Sequence, residues 1–331
     1  MVNIKEIAQK AGVGTTTVSR YLNDSPHISE KTRAKIIQAI QDLDYVPNTA
    51  AKRLRTNKTS QIGVVVSRIT NPFFATLFDN IERLLNRYGY EVSIMQTYDD
   101  KVIERKILDK LKNRSFDGLL MASIEDRDYV KEMLCEYGKQ IVLVNEKITG
   151  FEANSIFVDQ YHVVREALTY LNDNYGPQIA YVTGSINFDA SNHGNMRNKA
   201  YKDFAEHTGI RLDTTTIFEN AHSIEDGKKI VDSLRKLDKM PRSIFSNSDE
   251  VATGIIARCT DFNINVPADL AVMGFDDQPF APYILVPLTT VHQPIFEMAN
   301  NAVKCLLDRL DVSNDLTEMD LNLKMVIRKS S

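Results

Sequence analysis

From Ile62 to about Asp277 the sequence repeats one pattern: a short run rich in β-branched and large apolar residues, followed by a longer stretch whose apolar positions recur every three or four residues. The candidate strands are IGVVVS, EVSIMQT, GLLMAS, IVLVNE, IAYVTG, TTIFEN, SIFSNSD and LAVMGFDD, and helical patterns such as FFATLFDNIERLLNRYG and VREALTYLNDNYG lie between them. Strands alternating with helices of this length predict parallel sheets in a doubly wound α/β arrangement, because parallel neighbours need a crossover. So many strands imply two such sheets. Ligands in these folds bind beyond the carboxyl ends of the strands, so two facing sheets predict a cleft.

The first sixty residues follow another period. Ile4, Ile7, Ala8 and Ala11 mark one short helix and AGVG a tight turn; Val18 and Leu22 mark a second helix. Ser29 and Glu30 open a third, with Ile36, Ile37, Ile40 and Leu43 at helical spacing before DYVPN stops it. Two short helices joined by a glycine turn and braced by a third make a helix-turn-helix module, whose second helix enters the DNA major groove. Charge agrees: residues 1–60 hold ten Lys/Arg against five Asp/Glu, whereas the other 271 hold thirty against thirty-nine. A basic module on an acidic body points to a polyanion for the module alone.

The second helix, within VGTTTVSRYLN, explains its own composition in that light. Small hydroxyls at Thr15 and Thr16 let the helix end approach base edges, and Arg20, four residues after Thr16, can reach a guanine bidentately. Thr17, Ser19 and Asn23 are better placed to hold phosphates. Hydroxyl residues also favour helix caps, so Thr15 or Thr16 as the N-cap of a surface helix is the alternative. GVG is no nucleotide-binding loop, since no strand precedes it and Thr17 stands where a third glycine is needed.

Other functions lack their residues. There is no HExxH, GxSxG or P-loop, and no cysteine beside a plausible base, so the sequence does not read as an enzyme. Cys135, Cys259 and Cys305 fit no disulfide framework or metal spacing and are expected to be packing residues; neither metal nor cofactor is expected. No apolar run approaches a bilayer span and no export signal is present, which predicts a cytoplasmic protein and weighs against a solute-binding transport protein.

IKEIAQKAGVGTTTVSRYLN, followed by DYVPNTAAKRLRTNKTSQIGVVV, resembles the lactose-repressor (LacI/GalR) family of bacterial transcription regulators, and the resemblance runs through essentially the whole chain. It implies a small all-α helix-turn-helix DNA-binding domain at residues 1–47, a hinge helix and linker at 48–60, and a periplasmic-binding-protein-like body at 61–331. The body would comprise an N-subdomain of about 61–159 and 291–321 and a C-subdomain of about 160–290 and 322–331. In the hinge, Leu54 matches the family's minor-groove wedge, Arg55 accompanies it at the bases, and Asn48, Lys52 and Arg53 face the backbone. NTAAKRLR, the eight residues Asn48 to Arg55, is too short for a stable isolated helix, so the hinge is expected to order on DNA.

By the same resemblance Phe73, Phe74, Asp159, Arg197, His222, Ser248, Asp249 and Asp276 fall where relatives line the effector pocket. Carboxylates that accept from paired hydroxyls, a planar guanidinium and aromatic faces suit a sugar or sugar phosphate. Alternatives stay open: one of the two phenylalanines belonging to the core, Asp249 capping a helix, Asp276 capping a turn. Ala200 stands where the family has glycine, and His222 where it often has an aromatic. The expected partners are near-palindromic operator DNA, a second copy of the chain and a carbohydrate effector. A regulator governed by a phosphorylated carrier protein is the alternative. MVIRKSS carries no leucine heptads, which predicts a homodimer rather than a tetramer.

Overall fold

The computed structural model describes residues 2–22, 28–45, 58–185, 187–189, 195–210, 212 and 214–331. Asn23, Asn48, Lys52, Arg53, Leu54 and Arg55, and with them the expected hinge helix, lie outside the described residues. The chain divides into two units, Met1–Lys58 and Thr59–Ser331.

In the first unit α1 (Ile4–Ala11) starts at a capping box. Asn3 Oδ1 accepts from the N–H groups of Lys5 and Glu6, and the Glu6 carboxylate accepts from the Asn3 N–H. Gly12, at φ +64°, ends the helix in the left-handed region. α2 spans Thr15–Tyr21; α3 spans Glu30–Asp42 and is capped by Ser29. Ile7, Ala8, Ala11, Val18, Ile36 and Ala39 form a small core of their own. Lys10 pairs with Asp42 at 3.3 Å, and the Arg33 guanidinium lies 5.5 Å from the Tyr21 ring centroid.

The second unit holds two parallel sheets. The first has strand order β2-β1-β3-β4-β5, formed by β1 (Gln61–Val66), β2 (Glu91–Gln96), β3 (Gly118–Met121), β4 (Ile141–Val144) and β5 (Ser155–Ile156). The second has order β7-β6-β8-β9, with β6 (Ile179–Val182), β7 (Ile217–Phe218), β8 (Ser243–Phe245) and β9 (Ala271–Met273). Ile62 to Val66, Leu119 to Met121 and Ile141 to Val144 are wholly buried, as strands covered on both faces by helices must be. The helices over the first sheet are α4 (Pro72–Arg87), α5 (Lys101–Lys112) and α6 (Arg127–Tyr137); those of the second are α7 (Gln160–Tyr175), α8 (Asn195–Thr208), α9 (Ile224–Leu234) and α10 (Asp249–Asp261). α9 and α10 approach closely: a Cβ on Gly254 would sit 1.9 Å from the Ile224 carbonyl oxygen, and one on Gly227 2.1 Å from that of Val251.

The chain returns to the first sheet late. After β10 (Thr290–His292), α11 (Ile295–Arg309) packs on α4 and β4, and Met298, Ala302 and Leu306 share a core with Ile62, Leu77 and Leu120. Asn301 then fixes the extended stretch that follows, bonding both the N–H and the carbonyl of Met319. β11 (Lys324–Val326) pairs antiparallel with β10, and Ser330 bonds back to Val272. The two-stranded β10–β11 ribbon and β5 were not among the expected strands. Cys259 is buried, which pushes its thiol up to about 12, but Cys135 is exposed, correcting its expected packing role. Among the described residues no helix is long and apolar enough to cross a membrane.

Candidate functional site

Two surfaces carry the chemistry, one in each unit. In the first, Gly14 occupies the N-cap of α2 without a side-chain cap bond, so Thr15, Thr16 and Thr17 fill the first turn. Neither Thr15 nor Thr16 is the cap, then, and both hydroxyls stand exposed. Val18, wholly buried, anchors the opposite face against α1 and α3. That leaves Thr15, Thr16 and Arg20 on the outward side; Thr17 and Ser19 are half-buried at its margin. The result is a rigid, basic helix face whose small residues lead and whose arginine follows one turn later.

In the second unit Arg197, near the start of α8, donates from Nη1 to the Asn247 carbonyl at 2.9 Å and lies 4.6 Å from the Phe275 ring centroid. A guanidinium held by a carbonyl and a ring face keeps its remaining donors in one plane. Asp276 follows Phe275 at the end of β9 with φ +114°, a strained value for an L residue. Burial pushes its carboxyl well above the usual carboxylate range, against the pull of a hydrogen bond from Gln293 and the charge of Arg197. Asp249, at the start of α10, is fully buried and raised in the same direction by burial and by Asp276. Its two oxygens accept from Thr290 Oγ1 at 2.5 Å and the Gln278 N–H at 2.7 Å.

Helix capping falls elsewhere than one alternative reading had it. Ser248, not Asp249, caps α10, its Oγ accepting the Val251 N–H at 3.2 Å. Asp159 caps α7 by accepting from the Tyr161 N–H and is exposed. Phe73 is 5% exposed within the first sheet's core, while Phe74 is half-buried, edge-on to it at 5.2 Å. Phe73 thus lies within the core, and both oxygens of Asp249 already accept hydrogen bonds from the fold.

His222 stands beyond the end of β7 against Gly184, its Nε2 3.1 Å from Asn220 Oδ1. Burial and the charge of Arg68 lower its pKa, and Asp99 acts in the opposite direction. Arg68 and Asp99 belong to the other sheet, just after β1 and β2, and pair at 2.7 Å, with Ser67 Oγ donating to Asp99 at 2.5 Å. Groups from the ends of both sheets therefore share one electrostatic environment, as a cleft requires. Sequence reasoning passed over Arg68 and Asp99 although they follow strand ends, where ligands of such folds bind. Gln293 gave no such signal, because β10, which it follows, was not among the expected strands. Among the described residues no cluster of three or more His, Cys, Asp or Glu could hold a metal.

Residues 3–48 match the model of bacterial regulatory proteins of the lacI family, and residues 171–331 match a periplasmic binding protein-like domain. The chain is 31% identical to the NTD biosynthesis operon regulator NtdR of Bacillus subtilis over the full length of both. A LacI family transcriptional regulator from Lactobacillus casei, solved with bound sucrose, is 41% identical, with 82% of this chain and 99% of that one covered and a TM-score of 0.78. The lac repressor dimer bound to operator and an anti-inducer shares the fold at 22% identity, over 99% of this chain and 98% of that one, with a TM-score of 0.84.

Proposed function

Because the chain belongs to the lacI family of bacterial regulatory proteins, we propose that it is a cytoplasmic, homodimeric repressor whose hold on a near-palindromic operator is set by a carbohydrate bound in the cleft of its second unit. The observation that carries this reading is the outward face of α2, where exposed Thr15 and Thr16 lead and exposed Arg20 follows on a helix whose other face is sealed by Val18. Thr15, Thr16 and Arg20 read base edges while Thr17 and Ser19 hold phosphates. Asn23, Asn48, Lys52 and Arg53 add backbone contacts, and Leu54 with Arg55 enters the minor groove at the operator centre.

In the cleft, Arg197, Asp276, His222 and Phe74 make the direct contacts. A fixed guanidinium fork, a carboxyl that exchanges hydrogen bonds with hydroxyls, and a ring edge suit a polyhydroxylated ring. The lowered pKa leaves His222 neutral at pH 7, able to donate and accept rather than to hold an anion. One relative from Lactobacillus casei, solved with glucose and with sucrose, supports the sugar class.

The test starts from an operator selected out of random duplex DNA. Fluorescence anisotropy then measures its affinity for the full chain with and without glucose, sucrose, glucose 6-phosphate and a phosphorylated sugar-transport carrier protein. A sugar that changes operator affinity fivefold or more, roughly the lower end of allosteric coupling, supports the reading. A response to the carrier protein alone would replace the effector by a protein partner, and no selected DNA sequence at all would sink the proposal.

A further inference from the structure

Gln293 lies one residue beyond β10, the strand that takes the chain back toward the first sheet, and it is 5% exposed. Its Nε2 donates to Asp276 Oδ1 at 2.6 Å, and its Oε1 has no hydrogen-bond partner among the described residues. Gln278, 2% exposed, is close enough to the same carboxyl for its amide to act on it as a donor, and its side-chain oxygen has no hydrogen-bond partner among the described residues. Buried amides are normally satisfied at both ends, so an amide end without a partner beside a ligand-facing carboxyl marks a place where a further hydrogen bond can form.

The surrounding bonds show what such a rearrangement would move. Every residue from Thr290 to Gln293 is tied to the aspartates of the second sheet's edge. Thr290 Oγ1 donates to Asp249, the Asp276 N–H donates to the Val291 carbonyl, His292 Nδ1 lies 3.0 Å from Asp277 Oδ2, and the Gln293 N–H donates to the Asp276 carbonyl. A change of partner at Asp276 is therefore a change in how the crossover strand is held.

We infer that Gln293 is a positioning residue that occupies the Asp276 carboxyl in place of a ligand hydroxyl, so that capture of a polyhydroxylated ligand frees it and alters the grip on the crossover strand. The hydrogen bonds balance. The ligand O–H takes the place of Nε2 at Asp276 Oδ1, and the freed Gln293 amide turns to Gln278, whose donor and acceptor complement its own. Two new bonds are thereby made, Gln293 Nε2 donating to Gln278 Oε1 and Gln278 Nε2 to Gln293 Oε1, and Gln293 serves as the competitor that any sugar must displace. This rests on the carbohydrate reading given above.

The test uses the full chain, titrated calorimetrically with sucrose and with glucose, as wild type, Gln293→Ala and Gln293→Met. The methionine keeps the buried volume without a hydrogen-bond donor and serves if the alanine variant fails to fold. Removing the competitor should tighten sugar binding at least threefold while the sugar's effect on operator affinity falls toward one. Variants that match wild type in both measurements, or that bind sugar more weakly, overturn the role given to Gln293. Wild type that binds neither sugar overturns the carbohydrate reading and this inference with it, whereas wild type that binds sugar beside indifferent variants removes only the inference.

Discussion

Arg20 and Arg197 are the same side chain in two settings. Arg20 is exposed on α2, free to meet a groove, whereas Arg197 is half-buried, with one amino group spent on the Asn247 carbonyl and its plane near Phe275. The first setting suits a target that arrives with its own acceptors, the second a ligand recognised by a fork already in place. Arg20→Ala should therefore cost about 1–3 kcal/mol at each half-site and relax the base preference there. Repeating the selection from random DNA with the variant checks this; an unchanged preferred sequence would mean that Arg20 holds phosphate only. At this scale the sequence was readable where residue type and local spacing sufficed, as with Thr15, Thr16 and Arg20. It was opaque where chemistry depends on partners distant in the chain: the Arg68–Asp99 pair joins two strand ends, and Asp249 is consumed by Thr290.

Among the elements, the interior parallel strands β3, β4 and β6 announced themselves through unbroken apolar runs, because both faces of the sheet are covered there. β5, β10 and β11 had no such run. They exist through their pairing with strands formed elsewhere, and nothing in their own residues announces that pairing. Close helix contact is likewise invisible in local pattern: Gly254 lies within an ordinary helical repeat, yet its missing side chain is what lets α10 lie on the start of α9. Backbone blocks the new methyl, so Gly254→Ala should destabilise the second unit by about 1–3 kcal/mol or more despite its better helix propensity. Thermal melting followed by hydrogen exchange would resolve this, with protection falling across α9 and α10 while α1 to α3 keep theirs. Equal melting temperatures would show that the two helices can part at no cost.

For the whole molecule, the two buried carboxyls give stability a pH dependence. Asp249 and Asp276 have folded pKa values above their unfolded ones, so the folded chain binds more protons and stability falls as pH rises toward those values. His222, with its pKa lowered, opposes this only below its ordinary value. From about pH 6.5 to about pH 8 the carboxyls dominate, and the melting temperature of the second unit should drop; Asp249→Asn should flatten that slope, whereas a slope unchanged in the variant would locate the proton elsewhere. The late return of α11 to the first sheet has another consequence, in the order of synthesis. The helix-turn-helix unit has a complete core once Ala39 has emerged, but the first sheet waits for Met298 to Leu307, some 260 residues later at roughly 5–20 residues per second. Throughout that interval a nascent chain carries a folded helix-turn-helix unit and an unfinished second unit, so messages cut short before α11 would yield the first without the completed core of the other.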